Sequence, residues 1–155
     1  MHSPFDLAAY HERFMADVVR PNITQQACDL VNRHLSNGNL CCLVSATNTF
    51  VIKPVGRAFG FEHIIGTTPE YINGRFTGKF VGVASYKEGK ITRVEQWLKS
   101  LNSNFNDFDE VHFYSDSMND LPLLEIATHP VATNPSPALR EVAERNNWAI
   151  IDLFK

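Results

Sequence analysis

Two carboxylates four residues apart, Asp116 and Asp120, follow directly on the apolar segment Val111-His112-Phe113-Tyr114. Acidic groups at the carboxyl end of a strand are placed to hold a hard cation through oxygen. Magnesium asks for only one or two carboxylates, its other positions going to water and a substrate phosphate. The same residues also read as helix caps, with Asp116 or Asn119 accepting from the first amides of a helix that starts near Leu121. Ser45 closes a second apolar run, Leu40-Cys41-Cys42-Leu43-Val44, and opens Ala46-Thr47-Asn48. A hydroxyl and loop amides beside a helix start suit a phosphate oxygen, although a serine there also reads as a cap. Lys90, after Gly89 and ahead of an amphipathic helix, offers a compact positive charge to a phosphoryl group or is simply solvated.

The elements that must position these groups follow from the hydrophobic period. Ser3, Pro4 and Asp6 suit an N-cap, a first-turn proline and an acidic first turn. Leu7, Phe14, Met15, Val18 and Val19 then recur at helical spacing, which predicts a helix to Arg20 with Pro21 interrupting. Thr24 caps a second helix that stops at Gly38. Residues 40–44 read as a strand buried on both faces that empties into a loop at Ser45. Phe50 to Phe59 reads as a helix despite Pro54, and residues 63–66 as a short edge strand. Asn73-Gly74 and the glycines up to Gly89 predict a small antiparallel hairpin outside the main sheet. Helix (Ile91 to Leu101), strand (111–114), helix (from Leu121), strand (130–133), helix (Ala138–Arg145) and strand (148–151) complete the chain. Strands alternating with helices predict an α/β parallel sheet covered on both faces, with ligands beyond the carboxyl ends of the strands.

Composition narrows the partners. The 155 residues are 44% hydrophobic and 20% charged, which fits one domain: a helical segment over 1–38 joined to an α/β core over 39–155. A net charge of −3 and a pI near 6.0 argue against a nucleic-acid partner. Neither a run long enough to span a bilayer nor a signal-peptide pattern is present, so a cytoplasmic protein is expected. Cys28, Cys41 and Cys42 are odd in number, and two are adjacent in an apolar run, so they read as small core residues.

Taken in chain order, Val44-Ser45-Ala46-Thr47-Asn48, Phe76-Thr77-Gly78, Glu88-Gly89-Lys90, Tyr114-Ser115-Asp116-Ser117-Met118-Asn119-Asp120 and Val131-Ala132-Thr133-Asn134-Pro135 resemble the haloacid dehalogenase (HAD) superfamily. More narrowly, they are similar to its phosphoserine-phosphatase-like branch, subfamily IB. That resemblance implies a Rossmann-like core with a hairpin flap and a cap remnant at the N-terminus. It also implies magnesium-dependent hydrolysis of a small phosphorylated metabolite. Ser45 would hydrogen-bond the transferring phosphoryl group, with Thr47 and Asn119 on the phosphate side. Lys90 would neutralise its charge and orient the nucleophile, Asp116 would ligate magnesium, and Asp120 would support the metal. Ala46 and Asn48 depart from the Ser-Gly-Gly of strict phosphoserine phosphatases, which weakens phosphoserine as the substrate.

The family's reaction also needs an Asp-x-Asp after the first strand: a nucleophile that attacks phosphorus and an acid that protonates the leaving alcohol. Phe5-Asp6-Leu7-Ala8 lacks the second aspartate and falls in a helical pattern, and Phe105-Asn106-Asp107-Phe108-Asp109 precedes a strand instead of following one. An inactive or nearly inactive chain is therefore expected. The alternatives are a pseudo-phosphatase that binds a phosphorylated ligand or partner chain, or a shortened form of an ordinary enzyme. In the family the nucleophile strand lies centrally, between the strands ending at Ser45 and Asp116. Its loss would leave two inner edges that close on each other or pair with another copy or fragment, which makes a homodimer the expected assembly.

Overall fold

The computed structural model describes residues 4–153. Helix α1 (Pro4–Phe14) runs through a π-helical stretch, Met15–Val19, into the short α2 (Arg20–Asn22). The helical path thus continues past Pro21, which sits in the first turn of α2, where a missing amide costs little. The expected cap at Ser3 lies outside the described residues. Helix α3 (Gln25–Ser36) is capped as its sequence predicts: the Ala27 amide donates to Thr24 Oγ1 at 3.2 Å.

Strand β1 (Cys42–Asn48), helix α4 (Thr49–Ala58), strand β2 (His63–Ile72) and strand β3 (Arg75–Val81) form the first half of the core. Helix α5 (Glu88–Ser100) leads to the second half: β4 (His112–Ser115), α6 (Leu121–Ile126), β5 (His129–Thr133), α7 (Pro137–Arg145) and β6 (Ala149–Ile151). β1 pairs parallel to β2, β2 pairs antiparallel to β3, and β4, β5 and β6 form a parallel set in chain order.

Four expectations are corrected. β1 does not empty into a loop at Ser45: after an irregularity between Val44 and Asn48, it pairs again with Thr67, whose hydroxyl donates to the Ala46 carbonyl at 2.8 Å. β2 is a ten-residue central strand, because its first half pairs with β1 and its second half with β3. β1 is only half-buried because one of its edges is open. The hairpin turn agrees with the sequence, but the hairpin is not outside the sheet: β3 pairs with β2 and so extends the sheet that holds β1. Asn73 and Gly74 both take positive φ (50° and 78°), as a two-residue turn matched to strand twist requires.

Among the described residues, β1 and β4 do not pair, so the remaining strands have not closed on each other. An apolar slot of about 420 Å³ lies between them. Cys42 and Val44 line it from β1, Phe113 and Tyr114 from β4, and Val94 and Leu98 from α5. Burial there pushes the Cys42 thiol up to about 12, so it is a neutral core group, and all three cysteines are free. Two clusters make the core. Ile65, Val94, Leu98 and Leu123 pack beneath the first sheet, and Leu124, Ala132, Leu139 and Ala143 beneath the second. No helix of the described residues is long and apolar enough to cross a membrane.

Candidate phosphate and metal site

The tightest cluster of charge lies where α5 begins beside the end of β4. Lys90 is not solvated. It lies in the first turn of α5, buried, with Nζ 2.5 Å from Asp120 Oδ1. The other Asp120 oxygen accepts from the Ser115 hydroxyl at 2.7 Å, and that hydroxyl accepts from the Ser117 amide at 3.2 Å. Asp120 is therefore fully engaged, which a buried carboxylate requires.

Capping is done by neither of the two candidates named from the sequence. Ser117 caps the single turn Met118–Asp120, accepting from the Asn119 amide at 3.2 Å. Asp116 is exposed at the end of β4, and its carboxylate makes no hydrogen bond to another described residue. Only its backbone carbonyl is used, accepting from the Ser136 amide at 3.0 Å. An exposed, uncommitted carboxylate fits the hard-oxygen chemistry of magnesium.

Ser45 and Thr47 lie in the carboxyl-terminal half of β1. Ser45 Oγ accepts from the Thr47 amide at 3.1 Å, which leaves the serine hydroxyl proton free to donate to an anion and spends the Thr47 amide. The two strand ends are tied together through the loop before α5. Thr67 Oγ1, bonded to Ala46, also accepts from the Ser85 amide at 3.2 Å, and the Tyr86 hydroxyl donates to Asn119 Oδ1 at 3.2 Å. Arg93 braces the same side, donating to the Gly66 carbonyl and Thr68 Oγ1, each at 3.1 Å. Thus Lys90 is bonded to Asp120, Asn119 and Asp116 share the same loop, and Ser45 and Thr47 join them through Thr67 and Ser85. Ser115, Thr67, Tyr86 and Arg93 were not singled out from sequence. Only Ser115, inside the Tyr114–Asp120 motif, carried a signal there.

Gly89 has a steric reason. A Cβ at that position would lie 2.2 Å from the Ala84 carbonyl oxygen, a backbone atom with no freedom to rotate away. Gly89→Ala is expected to destabilise the fold by about 1–3 kcal/mol through backbone displacement. A urea titration checks this, a midpoint equal to that of the parent chain being the contrary result.

The two Asp-x-Asp imitations do not supply a nucleophile position. Asp6 falls within α1, not after a strand, and its side chain lies outside the described residues. Asp107 closes a capping box with Asn104 and also accepts from Ser103, bonds that hold its carboxyl below the usual range. It sits before β4, at the far end of that strand from Asp116.

Residues 2–125 match the family model for haloacid dehalogenase-like hydrolases. The chain belongs to that family. Within the haloacid dehalogenase-like hydrolases it is 41% identical over 152 residues to a histidinol-phosphatase of Neisseria meningitidis, covering 97% of this chain and 68% of that protein. A crystal structure from Bordetella pertussis, of a protein of unknown function, is 56% identical with a TM-score of 0.97 and covers 99% of this chain and 69% of that one. A substrate-bound phosphoserine phosphatase shares the fold at 18% identity, TM-score 0.62, over 84% of this chain and 59% of that one. Against several other curated relatives the chain spans about half their length. The HAD-type parallel sheet with helices on both sides expected from the motifs is thus the fold observed, and the chain is a phosphatase by family.

Proposed function

We propose that this chain supplies the phosphate-holding and magnesium-holding part of a phosphomonoester hydrolase, and that the attacking carboxylate comes from a strand seated in the slot between β1 and β4. The observation that carries this is the pairing of the buried Lys90–Asp120 bond with the exposed, uncommitted Asp116 at one strand end. Asp116 would ligate the metal, and Asp120 would hold Lys90 with its ammonium directed at the phosphoryl oxygens. Ser45 would donate its hydroxyl proton to one of those oxygens. Magnesium, when bound, would offset the repulsion between an anionic nucleophile and an anionic ester. A nucleophile carboxylate in the slot would approach phosphorus from between Ser45 and Asp116, with its leaving alcohol protonated by the second carboxylate of an Asp-x-Asp.

The first substrate to test is histidinol phosphate, because a relative of that name aligns along nearly the whole chain. Phosphoserine is the second, since Ala46 and Asn48 depart from the Ser-Gly-Gly pattern in the stretch that begins at Ser45. Magnesium with inorganic phosphate is expected to raise the melting temperature of the chain. The linkage at a hundredfold excess over Kd is about 2.7 kcal/mol, and Asp116→Asn is expected to remove the magnesium-dependent part. A magnesium effect that survives Asp116→Asn would sink the metal assignment. Binding without turnover under all conditions would favour a ligand-binding pseudo-phosphatase.

A further inference from the structure

At the opposite end of the β4–β6 sheet, one strand length from Asp116, three ligating side chains converge. His112 and His129 are directly opposed on the parallel strands β4 and β5. Their rings are stacked with centroids 4.4 Å apart. Glu110 lies just ahead of β4, two residues before His112, and His112 Nε2 and Glu110 Oε2 lie 3.0 Å apart. One ligand atom from each of Glu110, His112 and His129 lies within 4.8 Å of the others. We propose that these three residues bind a divalent transition metal of the zinc type, in a site separate from the magnesium site.

The donor set decides the metal class. Two imidazoles and one carboxylate suit zinc and its neighbours in the first transition row, whereas magnesium prefers oxygen alone. The support around the ligands is also of the kind metal-binding histidines have. Thr128 Oγ1 lies 2.9 Å from His129 Nδ1 and accepts from the Val111 amide at 2.7 Å, which fixes that ring and leaves Nε2 for the ion. Bonds of about 2.0–2.2 Å place ligand atoms roughly 3.3–3.6 Å apart around a tetrahedral ion, so the Glu110–His112 pair, now at 3.0 Å, must open slightly and the three side chains must adjust by rotation. Glu110 has the freedom for this, its side chain being 65% exposed, and His112 would exchange its bond to Glu110 for one to the metal. His34 stands beside the triad, its ring centroid 5.2 Å from that of His112, but its Nε2 is committed to the Tyr114 hydroxyl at 2.8 Å. It therefore walls the site without completing it. From His112 to Asp116 the backbone advances about 13 Å, at about 3.3 Å per residue, so an ion here would not touch the phosphate. It would instead clip the segment before β4 to the start of β5.

The test is zinc titration of the untagged chain by calorimetry, with metal content measured after dialysis. One zinc per chain is expected, weakened at least about tenfold by His129→Ala and by the surface substitution Glu110→Gln. Asp116→Asn and Cys41→Ser are expected to bind like the parent, and cobalt in place of zinc to show no thiolate charge-transfer band. Absence of binding, binding unchanged in both His129→Ala and Glu110→Gln, or binding lost in Cys41→Ser would each overturn the assignment.

Discussion

Adding a segment that seats an apolar strand ending in Asp-x-Asp between β1 and β4 is expected to raise phosphatase activity by several orders of magnitude and to make it magnesium-dependent. The slot is apolar and bordered by two strands that both carry site residues in or just beyond their carboxyl halves, Ser45 within β1 on one side and Asp116 directly after β4 on the other. A parallel strand of four or five residues, matching His112–Ser115, would satisfy both open edges at once and deliver its carboxyl end between them. Loss of a covalent nucleophile costs roughly 10⁴–10⁶ in kcat in enzymes where it has been removed alone, so gain of one should produce a change on that order. Release of phosphate from an aryl phosphate is the readout, supplied with the segment either as an N-terminal extension or as a separate polypeptide. Asp116→Asn should abolish the gain. Turnover by the unsupplemented chain, independent of its concentration, would place the nucleophile elsewhere in the chain. Turnover that rises with concentration would point to a second copy as the occupant of the slot.

The second large effect concerns stability. Lys90→Met leaves Asp120 buried with only the Ser115 hydroxyl as partner, and an uncompensated buried charge of this kind costs about 3–5 kcal/mol. The double variant Lys90→Met with Asp120→Leu removes both charges and should recover most of that loss, since an apolar pair of similar volume is often as stable as the ion pair it replaces. Urea unfolding of the two variants beside the parent measures the difference. A single variant within about 0.5 kcal/mol of the parent, the range of ordinary surface substitutions, would mean that the pair is far better solvated than its packing indicates. Neither variant should support phosphate binding, because the ammonium is gone from both.

Alternation of apolar runs and helical periods was enough to anticipate the α/β sheet, because it depends on local pattern. The Asn73-Gly74 turn and the Thr24 cap were legible for the same reason: each is decided within four residues. Other features were not. Ser45 to Asn48 looks like a loop because its side chains are small and polar, yet Thr67, twenty-one residues away in sequence, recruits the Ala46 carbonyl and keeps the strand going. Lys90 looks solvated until Asp120 is placed against it from another element. His112 and His129 acquire meaning only from the register of two parallel strands, which no spacing in the chain reveals. The motifs around Ser45, Lys90 and Asp116 named the chemistry correctly at the level of family, while the bonds that commit or spare each group came from tertiary contacts.

The division of the core into two clusters bears on how the molecule comes apart. Phe113 packs against both, and Leu123 and Leu124, adjacent on α6, belong to one cluster each. The second cluster contains four side chains with no exposure at all, whereas the first borders the slot. Cooperativity transmitted through so narrow a join is weak, so the two halves should behave as separate foldons. Amides of β5, held on both sides, should exchange with solvent in step with Leu139 and its neighbours, while those of β1 escape earlier through openings that leave the other half intact.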